Sequence, residues 1–158
     1  MFSWITPFIK YLRYVVLHKI YVFEACVRMG ITLAGITHDF SKFFPDEFIP
    51  YARYFNGPRA KTRTQTPQEK ADFDLAWLKH QRRSGHHWQA WILHEDSGAV
   101  KLLDMPDRYR REMIADWQGA GRMFGKTDTA AWYLKNRDHI LLAPLTRAWV
   151  ESKLGIVK

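Results

Sequence analysis

Residues 37–43 read Thr-His-Asp-Phe-Ser-Lys-Phe, and the adjacent pair His38-Asp39 organises the reading of everything else. Imidazole and carboxylate both bind divalent cations, so neighbours of this kind can share one ion, or the carboxylate can bridge two. A single pair among 7 histidines says little. What gives it weight is its surroundings: His18 lies 20 residues before it, His80 and His86-His87 follow, and Asp116 stands 29 residues beyond His87. That order of residues suggests a metal site.

The local patterns around the pair are helical. Thr6 reads as a cap and Pro7 as the first residue of a helix that runs to Met29 and stops at Gly30. Within it Val15, His18, Val22, Cys26 and Met29 recur at separations of three and four, which turns His18 inward. A short helical piece, 31–37, delivers His38 and Asp39. Pro45 opens a segment over 46–55, closed by Asn56-Gly57, in which Pro50 is expected to introduce a bend. Residues 57–66 carry Arg59, Lys61 and Arg63 without large apolar groups and read as an exposed, mobile loop.

Thr66-Pro67 restarts a helix to about Arg83 with Phe73, Ala76, Trp77 and His80 on one face, so His80 also points inward. Ser84-Gly85 breaks it and places His86-His87 in a turn. Trp88–Leu93 and Ala99–Leu103 then flank Asp96-Ser97-Gly98 as a hairpin, with His94-Glu95 exposed and inert at its tip. Pro106 opens a helix to about Phe124 that sets Tyr109, Met113 and Asp116 on one side. A carboxylate on a partly apolar stripe needs a partner. Glu112, four residues before Asp116, would repel it unless a cation lay between them. Two further helices are expected, over 129–136 and 139–154, with Asp138 as a cap, Pro144 as a kink and Gly155 as the stop. The fold class is therefore mainly α: a compact helical bundle with a short β-hairpin near 88–103, in one domain covering residues 1–158.

Composition agrees with a packed core. The chain has 158 residues, 47% apolar and 15% aromatic, far richer in rings than a disordered chain. Most of the tryptophans sit among apolar neighbours and read as core. Cys26 is the only cysteine, which excludes an internal disulfide and a cysteine-rich zinc module and fits a reducing compartment. The net charge of +8 favours anionic partners. Lys10, Arg13, His18, Lys19, Glu24 and Arg28 interrupt the apolar N-terminal third, so no membrane-spanning run is expected and a cytoplasmic location follows.

The run from Thr37 to Phe43 resembles the His-Asp-x-Gly/Ser-Lys signature of the HD-domain superfamily, all-helical metal-dependent phosphohydrolases whose ligands follow the order His, His-Asp, Asp. His86-His87 and Asp116 resemble the His-His and final Asp of its cyclic-dinucleotide phosphodiesterase branch. Residues 15–120 also look like a family of short bacterial and phage proteins of unassigned function that share HDxSKF, an EFxPY stretch and HxxxxxHH. The resemblance implies that His18, His38, Asp39 and Asp116 hold a first ion and that His80, His86 and His87 serve a second. One or two divalent ions are implied, drawn from Mn, Fe, Co, Mg, Zn and Ni. Lys42 would touch a substrate phosphate, joined by Arg82, Arg83 and the basic loop, while Glu47 or Asp46 aligns the attacking water. Two departures stand out: His80 is six residues before His86, closer than in two-metal members, and Pro45 and Pro50 sit beside Glu47.

The activity so implied is hydrolysis of a phosphoester on a nucleotide-like anion, because a divalent ion neutralises the ester's negative oxygens and acidifies water. Three rivals use other features. The same ligands holding two irons would make an oxygenase. Arg59, Lys61, Arg63, Arg82 and Arg83 as a patch would make a salt-sensitive nucleic-acid-binding module. Phe2, Trp4, Phe8 and Leu12 would make an amphipathic helix that docks on a membrane or partner.

Overall fold

The computed structural model describes residues 5–156. Its α-helices are α1 (Thr6–Arg28), α2 (Thr32–Thr37), α3 (Pro45–Asn56), α4 (Pro67–Arg83), α5 (Asp107–Met123), α6 (Thr129–Asn136) and α7 (Pro144–Lys153). Two three-residue strands, β1 (Ile92–His94) and β2 (Val100–Leu102), pair antiparallel with Leu93 opposite Lys101. The chain is thus mainly helical with one small hairpin. None of the described helices is long and apolar enough to cross a membrane.

α1 is the axis of the assembly, because its long inward stripe has to be covered along its whole length. Tyr11 and Val15 pack with Tyr51 and Ala52 of α3 and Ala76 of α4, whereas Val22, Ala25 and Cys26 meet Ala115 of α5. His18 falls between the two clusters, one turn from Val15 and one from Val22, and is only 2% exposed. The approach of α5 is unusually close. A Cβ on Gly119 would stand 2.4 Å from Val22 Cγ2 and 3.0 Å from the Val22 nitrogen, so glycine here lets the two backbones meet. Across the same crossing, Asp116 Oδ1 of α5 lies 3.0 Å from His18 Nε2 of α1. A third cluster, built on Met113, Ile114, Tyr133, Ile140, Leu142 and Val150, closes the far side of α5.

Several local expectations change. Thr6 lies inside α1, whose N-cap is Ile5 without a side-chain bond, because Pro7 at the start needs no donor satisfied. Trp88–Trp91 is a 3-10 turn, so the strand contracts to residues 92–94. Pro144 opens α7 instead of kinking a longer helix, and Asp138 sits in a 3-10 turn at 137–139. A proline at the first helical turn lacks only a donor that would be unpaired anyway. The capping aspartate is Asp128, which accepts from Ala131 at the head of α6. Thr66 caps α4 in a reciprocal box with Glu69, as a Thr-Pro start favours. In the amphipathic-helix reading, Phe2 and Trp4 lie outside the described residues, Phe8 packs into the α1–α3 cluster, and Leu12 is exposed.

Candidate metal centre

Four elements converge on Asp39. The backbone there is left-handed, with φ at 53°, and it separates the end of α2 from a 3-10 turn over residues 40–43. Adjacent side chains on a helix point about 100° apart and on a strand to opposite faces. The left-handed step turns His38 and Asp39 into the same space, at the conformational cost of about 1–3 kcal/mol that such residues carry. Asp tolerates this region better than most residues. Lys19 of α1 donates to the carbonyl oxygens of Ile36 and His38 and so pins the end of α2 in place.

The two oxygens of Asp39 face two sets of imidazoles. Oδ2 lies 3.5 Å from His18 Nε2 and 3.4 Å from His38 Nε2. Asp116 Oδ1 completes that set at 3.0 Å and 3.5 Å from the same nitrogens. On the other side, Oδ1 lies 3.3 Å from His80 Nε2 and 3.4 Å from His86 Nε2. His87 joins them: ligand atoms of Asp39, His80, His86 and His87 all lie within 4.8 Å of one another, as do those of His18, His38 and Asp39. Both sets could hold a metal ion. All seven residues named from the sequence therefore meet around one carboxylate.

These contacts are close without being hydrogen bonds. Nε2 of His18, His38, His80, His86 and His87 and both oxygens of Asp39 are buried and have no hydrogen-bond partner. Buried polar atoms left unpaired cost roughly 1–3 kcal/mol each, so a cluster of seven asks for an occupant. Lone pairs that aim past one another toward shared points are what a cation requires. The donor set is imidazole and carboxylate with no thiolate, since Cys26 is buried in the α1–α5 contact. That chemistry fits a borderline divalent transition ion.

The outer edges of the rings are held by carboxylates that the sequence reading placed elsewhere or passed over. Glu112 of α5, only 4% exposed, accepts from His38 Nδ1 at 3.0 Å and lies 3.2 Å from His86 Nδ1. Glu47 of α3 accepts from His80 Nδ1 at 2.9 Å, from Ser41 Oγ at 2.9 Å and from Arg83 Nη1 at 2.7 Å. A proton fixed on Nδ1 leaves the Nε2 lone pair free to face inward, the usual arrangement behind metal-bound histidines. Tyr14 stacks on His18, with centroids 5.9 Å apart and planes 4° apart. Trp77 backs His80 and His87 at 5.8 Å and 5.0 Å.

Electrostatics follow from this crowding. Burial opposes charge on His18 and His38, but the carboxylates beside them win and raise the two groups to about 8 and about 9. Desolvation opposes charge on Asp39 and on the less enclosed Asp116 as well, yet the neighbouring His38, Lys42 and His18 hold both well below the ordinary carboxylate range. Against the same burial, His38 and His86 hold Glu112 down at about 2. His87 is pushed well below the usual imidazole value by burial and by His86 next to it. The carboxylates are thus permanently anionic.

The residues expected to act on substrate are placed differently. Lys42 is largely buried, its Nζ 2.7 Å from Asp39 Oδ2, beside the centre as anticipated. Glu47 has both oxygens engaged, one by His80 and Ser41 and the other by Arg83. Asp46 is tied at the surface by Arg83 and by Lys79 at 3.1 Å. Arg83 spends its guanidinium on those two carboxylates, and Arg82 points to solvent at the end of α4. In the basic loop, Arg59 is bound to Glu69 at 3.1 Å. Glu112 left one trace in the sequence, its four-residue spacing from Asp116, which marked a like-charge pair in need of a cation.

Two openings lie at the centre's edge. One, of about 400 Å³, has a mixed lining that includes Asp39, His86 and Glu112 with Arg83, Arg108 and aromatic rings. The other, of about 430 Å³, is walled by aromatic rings and includes Lys42. Residues 8–156 match a protein family described as a family of unknown function (DUF5662), and the chain belongs to it. No curated protein and no solved structure matches the chain.

Proposed function

We propose that this member of the family is a metal-dependent phosphohydrolase of the HD type that acts on a nucleotide or related phosphoester. The observation that carries the reading is the set of five inward Nε2 atoms around Asp39, all buried and none with a hydrogen-bond partner. His18, His38, Asp39 and Asp116 would hold one ion, and Asp39, His80, His86 and His87 a second. The predominance of imidazole favours Mn, Fe, Co, Ni or Zn over Mg. Divalent ions held there would supply charge neutralisation for the ester's oxygens and bring water's acidity toward neutral pH.

The chain's own groups divide the remaining work. Lys42, 2.7 Å from Asp39, is placed to contact a phosphate oxygen at the edge of the centre. Glu47 and Glu112 keep His80, His38 and His86 in one tautomer and one orientation. Arg108 lines the opening beside Asp39, His86 and Glu112 and would draw anions to it. The net change is that water adds to phosphorus, the ester oxygen leaves with a proton, and phosphate and an alcohol result.

The test is elemental analysis of protein purified without a histidine tag, followed by phosphate release from a nucleotide panel with Mn²⁺, Co²⁺, Fe²⁺, Zn²⁺ or Mg²⁺ supplied. The expected result is one or two ions per chain and turnover that a chelator abolishes. Metal-loaded protein that hydrolyses none of the panel would overturn the reading, and oxygen uptake by an iron-loaded form would replace it with an oxygenase.

A further inference from the structure

We propose that the aromatic-walled opening beside Lys42 is the binding site for a nucleobase, so that the substrate of the centre is a free nucleotide recognised by its ring as well as its phosphate. This assignment rests on the hydrolase reading for the fate of the phosphate, but the pocket has its own geometry. Tyr11, Tyr14, Tyr51 and Phe124 form its walls, and its volume of about 430 Å³ falls in the range that takes a small organic ligand.

Three features tie the pocket to the metal centre. Tyr14, in its wall, lies flat on the His18 ring. Tyr51, also in its wall, meets the His80 ring edge-on at 6.3 Å. Lys42 lies in the pocket and 2.7 Å from Asp39 Oδ2. A ligand whose phosphate reached the centre past Lys42 would therefore leave its remaining bulk among aromatic rings. Flat rings bind such surfaces well, because stacking accepts any base and excludes water.

The polar groups of the pocket point to a ring with hydrogen-bonding edges. The hydroxyls of Tyr11 and Tyr51 are buried without a hydrogen-bond partner, although their side chains are only 2% and 6% exposed. Burial, with the Asp39 charge adding to it, keeps each phenol neutral and able to donate. Asn56, at the end of α3, adds an amide at the same pocket, and a carboxamide can pair with a base edge through two bonds. A lipid tail or simple sugar phosphate would leave either the donors or the rings unused. A nucleobase uses both.

The experiment is calorimetric titration of the metal-loaded full chain with adenosine, guanosine, cytidine and uridine, and kinetics with their 5′-monophosphates against glycerol phosphate as a ring-free ester. At least one nucleoside is expected to bind, and Phe124→Ala and Tyr51→Phe to weaken it by about tenfold or more. The preference in kcat/KM for that nucleotide over glycerol phosphate should fall by a similar factor, mostly through KM. Phe124 is 67% exposed, so its replacement tests recognition without threatening the fold. Nucleoside binding without turnover of any ester supports the pocket and removes the hydrolase. Turnover with no nucleotide preference, or nucleoside binding that neither variant weakens, overturns the pocket.

Discussion

Two regions of this molecule bury polar groups, and they treat them in opposite ways. Among the described residues beyond α5, no buried side-chain nitrogen or oxygen lacks a partner: Tyr133, fully buried, donates to Glu151 at 3.1 Å and accepts from Arg147 at 3.0 Å, while Arg137 reaches the same carboxylate at 2.7 Å. Thr146 accepts from the Met105 nitrogen and donates to Asp104. Around Asp39, imidazole nitrogens and carboxylate oxygens stand within 3.0–3.5 Å of one another, and five buried Nε2 atoms have no hydrogen-bond partner. A closed network is what packing alone selects, since an unmet polar group costs free energy. An open one persists where something else completes it, which is why burial alone would misread Glu151 as a ligand and pairing separates the two regions.

The largest expected effect that would break this contrast is at the carboxylate shared by both sets. Asp39→Ala should lose all bound metal in elemental analysis and reduce phosphoester turnover to background; wild-type metal content in this variant would end the comparison. Its counterpart, Glu151→Ala, should keep the metal and lower stability by about 1–3 kcal/mol in urea denaturation, because Tyr133 and Arg137 lose their acceptor.

Next in size are the carboxylates behind the rings. Glu112→Gln and Glu47→Gln should weaken metal affinity by roughly 10–100-fold in competition with a chromophoric chelator, with helical circular dichroism unchanged. Equal affinity would show that the imidazoles are held by packing alone. Smaller still is Gly119→Ala, whose methyl group would collide with Val22. We expect a loss of about 1–3 kcal/mol in stability and weaker metal binding, since spreading α1 from α5 parts His18 from Asp116.

The subtlest effect is on pH. His18 and His38 are raised to about 8 and 9 in the metal-free protein, so their contribution to stability is complete below the ordinary imidazole value and fades as pH climbs through 8 and 9. Metal binding must displace those protons, so affinity should rise over the same interval. Melting temperature should therefore fall from pH 6.5 to 9 in chelator and hold or rise with metal. Loading at pH 7 in weak buffer should release protons; parallel melting curves in the two conditions would refute the assignment of these two rings.

Much of the candidate centre is legible in the sequence. His18 and His80 could be turned inward from helical spacing alone, and the pair at 38 and 39 announced its chemistry by composition. The C-terminal elements were read less well: Pro144 looks like a kink in sequence, and only the extended stretch before it shows that it begins a helix. The residue that Glu47 meets could not be read. Its position after Asp39 says nothing of His80, 33 residues away, to which it is bonded.

By itself the amino-acid sequence determined the helical architecture and the identity of the candidate ligands, because periodicity and donor chemistry belong to single segments. Only the tertiary structure decided which nitrogen of each ring faces inward, that Glu47 and Glu112 stand behind the imidazoles, and that Asp39 divides its oxygens between two sets. Glu112 reaches His38 across 74 residues, and such a meeting is set by the close crossing of α1 and α5 and the left-handed turn at Asp39, which place atoms that no spacing along the chain relates.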